Sequence, residues 1–124
     1  MAKATTKAPS AKEVLVEKYI ADLKEKVGEA RPDLALLDAV VKACGPAIYK
    51  ADSATVAASD KDELARVKMN FIGKRLGVAD EAKADAAIKA AIEKYGRSVR
   101  AKHRPVLYYL IAKELKKAAA LKKA

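Results

Sequence analysis

Apolar residues recur at the spacing of an α-helix in five separate segments of this 124-residue chain. In the first segment Val16, Tyr19, Ile20, Leu23 and Val27 follow one another at intervals of one to four residues and share one helical face. Alanine, which loses the least free energy on entering a helix, occurs 28 times, and tryptophan does not occur. The pattern therefore predicts helices separated by short connections, and it predicts no strand.

Capping residues indicate where the predicted helices begin. Ser10 and Glu13 have the spacing of a capping box, which predicts a first helix over 11–27 that ends at Gly28. Ser, Asp and Pro suit the first turn of a helix because they either bond its free amides or lack an amide hydrogen. The later helices are expected to begin at Pro32 or Asp33, at Ser59, at Asp80, and near either Ser98 or Pro105.

The helical spacing also predicts which side chains form the core. Proline inside a helix removes a hydrogen bond, so we expect a break or kink over 102–105 before the last helix. In that helix Tyr108 is expected to face the core and Tyr109 the solvent. The other predicted core positions are Leu34, Leu37, Val40, Val41, Cys44, Leu64, Val67, Phe71, Ile72, Leu76, Ala84, Ile88, Ala91, Ile92, Tyr95, Leu107, Ile111 and Leu115.

These elements predict an all-α fold, a compact bundle of about five helices that is orthogonal rather than simply up-and-down. The expected organisation is a disordered basic tail over 1–9, a single helical domain over 10–117 and a fraying basic tail over 118–124. The N-terminal stretch lacks the apolar run of a signal peptide or membrane anchor, and the single cysteine cannot form an internal disulfide. We therefore expect a cytoplasmic protein without a membrane partner.

Positive charge is concentrated at the C-terminal end. The chain has a net charge of +10, and residues 97–124 hold nine basic residues against one acidic residue. Such a segment offers electrostatic contacts to phosphates that are independent of base sequence, although charged runs also occur as plain solvated surface. If nucleic acid is the partner, the predicted contacts are Arg97, Arg100, Lys102, His103, Arg104, Lys113, Lys116 and Lys117.

Two stretches resemble a known family: GPAIYKADSATVAASDKDELARVKMNFIGKRLGV and AIKAAIEKYGRSVRAKHRPVLYYLIAKEL. They are similar to a small bacterial family, the domain of unknown function number 2853, over roughly residues 12–117. The resemblance implies a helical fold and carries no activity with it. The matching positions are Asp52, Ser53, Ser59, Asp60, Lys61, Glu63, Leu64, Val67, Asn70, Phe71, Arg97, Arg100, Lys102, Arg104, Tyr108 and Tyr109.

Residues that could perform catalysis or hold a metal are sparse. His103 is the only histidine and Cys44 the only cysteine, so four Cys or His ligands for zinc cannot come from one chain. Cys44 lies on an apolar stripe, which favours an inert thiol, and the basic neighbours of His103 disfavour its protonated form. The acidic group Asp60, Asp62 and Glu63 is typical of a helix N-terminus. We expect no catalytic residue, cofactor or metal site.

The favoured function is therefore a small, non-enzymatic, cytoplasmic accessory or protein-interaction role, with an unknown protein partner or a second copy of the chain. The first alternative is sequence-nonspecific nucleic-acid binding through the basic C-terminal segment. The second alternative is an enzyme whose active site has no recognisable sequence motif.

Overall fold

The computed structural model describes residues 11–50, 54–56, 60–96, 99 and 102–117. Their elements, in chain order, are helix α1 (Ala11–Glu25), helix α2 (Leu34–Cys44), a 3-10 helix (Gly45–Tyr49), strand β1 (Thr55–Val56), helix α3 (Lys61–Arg66), a π-helix (Val67–Gly73), helix α4 (Glu81–Tyr95), strand β2 (Lys102–His103) and helix α5 (Arg104–Glu114). The helices pack on one another, and strand content is very small, so the predicted all-α fold is confirmed.

Aspartates cap three of the helices, as far as the chain is described. The Asp33 carboxylate accepts a hydrogen bond from the Leu36 amide, and the Asp80 carboxylate accepts one from the Lys83 amide, each at 3.1 Å. Both caps are where the sequence predicts them. The third cap is Asp60 rather than the predicted Ser59, which lies outside the described residues, as does Ser10. Each cap satisfies amides that have no partner within their own helix.

Helix α5 runs through the centre of the core. It packs mainly on α4 and α2 and also contacts α1 and both strands. All nine residues from Arg104 to Ala112 are buried, so this helix has no solvent-facing side over most of its length. Its start confirms the predicted break, since His103 precedes the first turn and Pro105 lies within that turn, where it needs no donor.

The central position of α5 overturns the prediction for Tyr109. That side chain was expected to face solvent, but its exposure is 0%, and Tyr108 beside it is buried as well. A helix enclosed by neighbours on every side buries two adjacent residues that point in different directions. The Tyr109 hydroxyl donates to the Glu29 carboxylate and accepts from the Asp33 amide, so its polar atom remains satisfied.

The core prediction for α2 needs a smaller correction. Leu34 was expected to be buried but is 57% exposed, whereas Leu36 is fully buried in its place. Leu34 is the first residue of the helix, where little of the chain packs around a side chain. The later residues Leu37, Val40 and Val41 are buried as predicted, and Cys44 is partly buried against the core.

The structure also contains a strand pair that the sequence analysis did not predict. Strands β1 and β2 are two residues long and antiparallel, with Thr55 opposite His103 and Val56 opposite Lys102. The Arg104 amide extends the pairing by donating to the Ala54 carbonyl at 2.9 Å. Two residues are too few for a strand pattern to be visible in the sequence.

The predicted tails, 1–9 and 118–124, lie outside the described residues, and so do Asp52 and Ser53. Within the described ranges, no helix combines the length and the apolar character needed to cross a membrane.

Candidate functional site

The N-terminal part of the basic segment lies inside the protein. Lys102 is 2% exposed, and its ammonium group donates to the carbonyl oxygen of Val99. Arg104 is 9% exposed and lies at the start of α5. The nucleic-acid hypothesis places both side chains on the surface, and the structure corrects that placement because both take part in packing between elements. Arg97 and Arg100 lie outside the described residues.

Arg104 is held by an enclosed network of hydrogen bonds. Its Nη1 donates to the Tyr108 hydroxyl at 2.8 Å, and its Nη2 donates to Glu63 Oε1 at 3.2 Å. The side chains of this ion pair are only 10% and 14% exposed. Burial by itself would lower the pKa of Arg104, but Tyr108 and Glu63 outweigh it and raise the pKa. Arg104 therefore carries its charge inside the protein, where Glu63 balances it.

Sequence reasoning did not find the partner of Arg104. Glu63 was interpreted as part of the acidic start of a helix, and it does lie in the first turn of α3. Its carboxylate, however, contacts a residue 41 positions away along the chain. The only local signal is the spacing of four residues between Arg104 and Tyr108, which places both side chains on the same helical face.

His103 lies between α1 and α4 rather than in a solvated segment. Its ring contacts Tyr19 edge-to-face at 5.3 Å, and its Nε2 is 3.8 Å from Asp22 Oδ2. Burial lowers the pKa of His103, Asp22 opposes that effect, and Lys26 and Lys18 reinforce it. The direction agrees with the sequence analysis, but the principal cause is loss of water and not the adjacent basic residues.

A buried tyrosine completes this second network. The Tyr95 hydroxyl donates to Asp22 and accepts from the backbone amide of His103 at 3.0 Å. Burial and the neighbouring Asp22 raise the pKa of Tyr95, so its hydroxyl stays protonated. The network links α1 to α4 and β2, and all of its polar groups have partners. It is explained by packing alone.

The C-terminal part of the basic segment is on the surface. Lys113, Lys116 and Lys117 are exposed, and Lys113 forms an ion pair of 3.2 Å with Glu29. Lys113 lies nine positions after Arg104 on α5, which corresponds to about 13 Å along the helix axis. Within the part of the chain that the structure describes, the predicted phosphate contacts therefore divide into an internal group and a distant surface group.

A groove opens beside Arg104, and the sequence analysis did not predict it. It has a volume of about 280 Å³ and lies between the C-terminal end of α2, the 3-10 helix, the π-helix with the turn that follows, and the start of α5. Its walls are formed by Ala43, Cys44, Ala47, Asn70, Phe71, Arg75, Arg104 and Tyr108. We call this feature the Arg75 groove.

The Arg75 groove has an aromatic base and a charged rim. Phe71 and Tyr108 stack with their ring centroids 4.1 Å apart, and both are buried. Asn70 and Arg75 are exposed, and among the described residues no carboxylate lies within ion-pair distance of Arg75. Arg75 is therefore a cation in a concave surface, and no acid of the described residues balances its charge.

The π-helix helps to form this groove. Asn70 and Phe71 lie within Val67–Gly73, where the wider helical turn shifts side chains away from α-helical positions. Such segments are rare and occur often at functional sites. The apolar spacing correctly predicts that Val67, Phe71 and Ile72 are buried, but it does not distinguish a π-helix from an α-helix.

Cys44 lies in the groove as a protonated thiol. Burial raises the pKa of Cys44 to about 12, although Arg104 and Arg75 both act to lower it. Since the thiolate is the nucleophilic form, the groove does not activate this residue. The described residues also contain no group of three or more His, Cys, Asp or Glu side chains arranged to hold a metal ion.

Comparison with known proteins shows which protein family the chain belongs to. No curated protein matches the sequence significantly. The family model described as a protein of unknown function, DUF2853, matches residues 18–119. The match includes all of the elements described above except the first part of α1, and it confirms the resemblance seen in the sequence motifs. The chain therefore belongs to the DUF2853 family.

Proposed function

We propose that this protein is a small, non-enzymatic, cytoplasmic interaction module that receives a peptide segment of a partner protein in the Arg75 groove. The observation that supports it most directly is an open groove that has at its rim a cation, Arg75, without an ion-pair partner among the described residues, and in its wall a protonated thiol. An open groove with a charged rim suits the binding of a ligand. Nucleophilic catalysis by Cys44 would instead need a thiolate.

The size and surroundings of the groove favour a peptide over a small molecule. Its volume of about 280 Å³ lies at the lower limit of small-molecule sites, which also enclose most of their ligand. Two large apolar side chains are exposed next to groove residues in the sequence, Tyr49 near Ala47 and Met69 beside Asn70. Tyrosine and methionine are enriched at protein interfaces, so these side chains extend the surface available to a partner.

A photo-crosslinking residue placed at Ala47 tests the proposal. Ala47 is in the groove wall, and Ala86 is an exposed alanine of α4 outside the groove that serves as the matched control. We expect a defined partner protein to be crosslinked from position 47 and not from position 86. Equal crosslinking at both positions, or none at position 47, would contradict the proposal.

The purified partner then allows affinity to be measured. Asn70→Trp places a bulky ring at the exposed rim of the groove, and Ala86→Trp places the same ring on an exposed position of α4 outside the groove. We expect the first variant to weaken binding by at least about tenfold, which is about 1.4 kcal/mol. The second should change affinity by less than about threefold, and the reverse order would place the interface elsewhere.

Nucleic-acid binding through the end of α5 is the second candidate function. It is supported by the exposure of Lys116 and Lys117, which follow Lys113 on the surface. Replacing both by alanine should reduce the slope of log affinity against log salt for an arbitrary duplex by about 0.9 per lost phosphate contact. Lys89→Ala with Lys94→Ala, two exposed positions on α4, is the control of equal charge. Identical slopes for the two variants would exclude the C-terminal end of α5 as the contact.

A further inference from the structure

Among the described residues, the charges around the Arg75 groove leave one positive charge without a counter-charge. Arg104 and Arg75 are the two cations of its lining. Glu63 Oε1 lies 3.2 Å from the Arg104 guanidinium and neutralises it, whereas no described carboxylate pairs with Arg75. The groove therefore presents a net charge of about +1 to a ligand, and this charge is that of Arg75.

The location of that charge is shown by two separate features. Arg75 belongs to the residues that line the groove, on the turn that follows the π-helix. It also lies near enough to Cys44 of α2 for its charge to act against the effect of burial on the pKa of that thiol. Arg75 therefore contributes its positive charge to a groove that α2 also lines.

The remaining walls suit an apolar group next to an anion. Ala43 and Ala47 present small side chains, and the stacked pair of Phe71 and Tyr108 forms the base. Asn70 at the rim adds an amide that both donates and accepts hydrogen bonds. An acidic side chain with an aliphatic neighbour matches this surface in charge and in polarity.

We propose that the Arg75 groove recognises the carboxylate of an acidic residue in a partner peptide, with Arg75 as its ion-pair partner and the alanine wall of α2 and the 3-10 helix against an adjacent aliphatic side chain. The inference rests on the proposed interaction function and adds the chemistry of the recognised group. Arg75 supplies a planar pair of donors to the two carboxylate oxygens.

A carboxylate fits better than a phosphate because of charge. A phosphorylated side chain carries a charge of about −1.5 to −2 and is usually bound by a cluster of cations. Here one guanidinium is available, and the Glu63 carboxylate lies on the other side of Arg104, where it would repel a second negative charge. A single negative charge is balanced by Arg75 without breaking the ion pair between Arg104 and Glu63.

The test uses three short peptides with acetylated and amidated ends that differ at one central position between leucines: glutamate, glutamine and phosphoserine. Binding to the ¹⁵N-labelled full chain is followed by shifts of backbone amide resonances. We expect the glutamate peptide to shift Asn70 and Arg75 with an affinity at least about tenfold above that of the glutamine peptide. Equal binding of these two peptides, tighter binding of the phosphoserine peptide, or no shift at millimolar glutamate peptide would overturn the inference.

Variants of the exposed arginine make the test specific. Arg75→Ala should reduce affinity for the glutamate peptide by about tenfold, and Arg75→Lys should restore part of it because charge returns without the paired donors. Lys74→Ala removes the same charge from the adjacent exposed position, which does not line the groove, and should change affinity by less than about twofold. An equal loss in Arg75→Ala and Lys74→Ala would show general electrostatic attraction instead.

The same variants separate this inference from the proposed function. If a partner is crosslinked at Ala47 but Arg75→Ala leaves its affinity unchanged, the interaction function stands and carboxylate recognition is wrong. If the glutamate peptide binds as expected but crosslinking at Ala47 returns no partner, the groove has the stated chemistry and the proposed function is wrong.

Discussion

The basic residues at and next to the two ends of α5 lie in opposite environments. At its N-terminal end Lys102 and Arg104 are buried and bonded within the protein, whereas at its C-terminal end Lys113, Lys116 and Lys117 are exposed. In the sequence these residues form one positively charged segment. The difference shows that charge density along a chain does not predict charge density on a surface. The reason is that one end of a central helix is buried among its neighbours.

The largest expected effect concerns the buried end. Glu63→Ala leaves the Arg104 guanidinium enclosed without its carboxylate, so we expect the free energy of unfolding to fall by about 3–5 kcal/mol. Urea denaturation followed by circular dichroism measures the loss. Glu114→Ala, at the exposed end of the same helix, should cost no more than about 0.5 kcal/mol. A similar cost for both variants would remove the distinction between the two ends.

A second and smaller effect is expected in the network beside β2. Tyr95→Phe removes the hydroxyl that donates to Asp22 and accepts from the His103 amide, and it leaves both groups without that partner. The expected cost is about 1–3 kcal/mol in the same denaturation experiment. Tyr49→Phe removes a hydroxyl from an exposed tyrosine and should be nearly neutral. A neutral Tyr95→Phe would mean that water replaces the hydroxyl.

The third effect is a dependence on pH. Burial lowers the pKa of folded His103 below its ordinary value of 6.5, despite Asp22 and with the help of Lys18 and Lys26, while Tyr19 and Tyr95 pack nearby. Above pH 6.5 the histidine is neutral in both states, so its contribution to stability is complete. Below that value the unfolded chain gains a proton first, and the contribution is lost as pH falls toward the folded pKa.

The comparison with His103→Gln isolates this dependence from the titration of carboxylates. We expect the unfolding free energy of the natural protein to fall more steeply between pH 7 and pH 5 than that of the variant. Parallel curves would show that His103 titrates equally in the folded and unfolded chains. Since His103 directly precedes the first turn of α5, a steeper fall in the natural protein would assign the effect to the buried end of that helix.

The smallest effect is expected at the exposed end. Lys113→Met breaks an ion pair with Glu29 in which the lysine side chain is 44% exposed, so stability should fall by less than about 1 kcal/mol. The loss should diminish further at high salt, because screening weakens exposed pairs. The effect of Glu63→Ala should persist at high salt. A salt-independent loss in Lys113→Met would indicate that packing over the Tyr109 ring, 5.4 Å from the ammonium, is its source.

Much of the fold was predictable because its signals are local. The Asp33 and Asp80 caps and the break before Pro105 depend on hydrogen bonds and backbone angles within a few residues, and each lies where it was expected. The buried faces of α4 and of the π-helix follow from spacing alone. Local rules fail at the first residue of α2, where Leu34 has the right spacing but too few neighbours.

The candidate site was largely invisible to sequence reasoning. Four elements contribute to the Arg75 groove, and the spacing of four residues between Arg104 and Tyr108 does not reveal the other two polar residues, Asn70 and Arg75. Of the groove residues, Arg104 was predicted as a phosphate contact because of its charge. That nucleic-acid hypothesis expected its side chain at the surface. Its burial depends on Glu63, which the fold brings from α3.

The sequence by itself determined the helices, most of their ends and the apolar residues that pack between them, because capping and amphipathic spacing act within one or two turns. Packing between distant parts of the chain, and not the sequence pattern, places α5 at the centre, buries Tyr109 and Arg104, and leaves Arg75 in a groove where no described carboxylate pairs with it. The physical reason is that burial and ion pairing depend on which elements surround a side chain. Contacts between residues far apart in sequence set those surroundings.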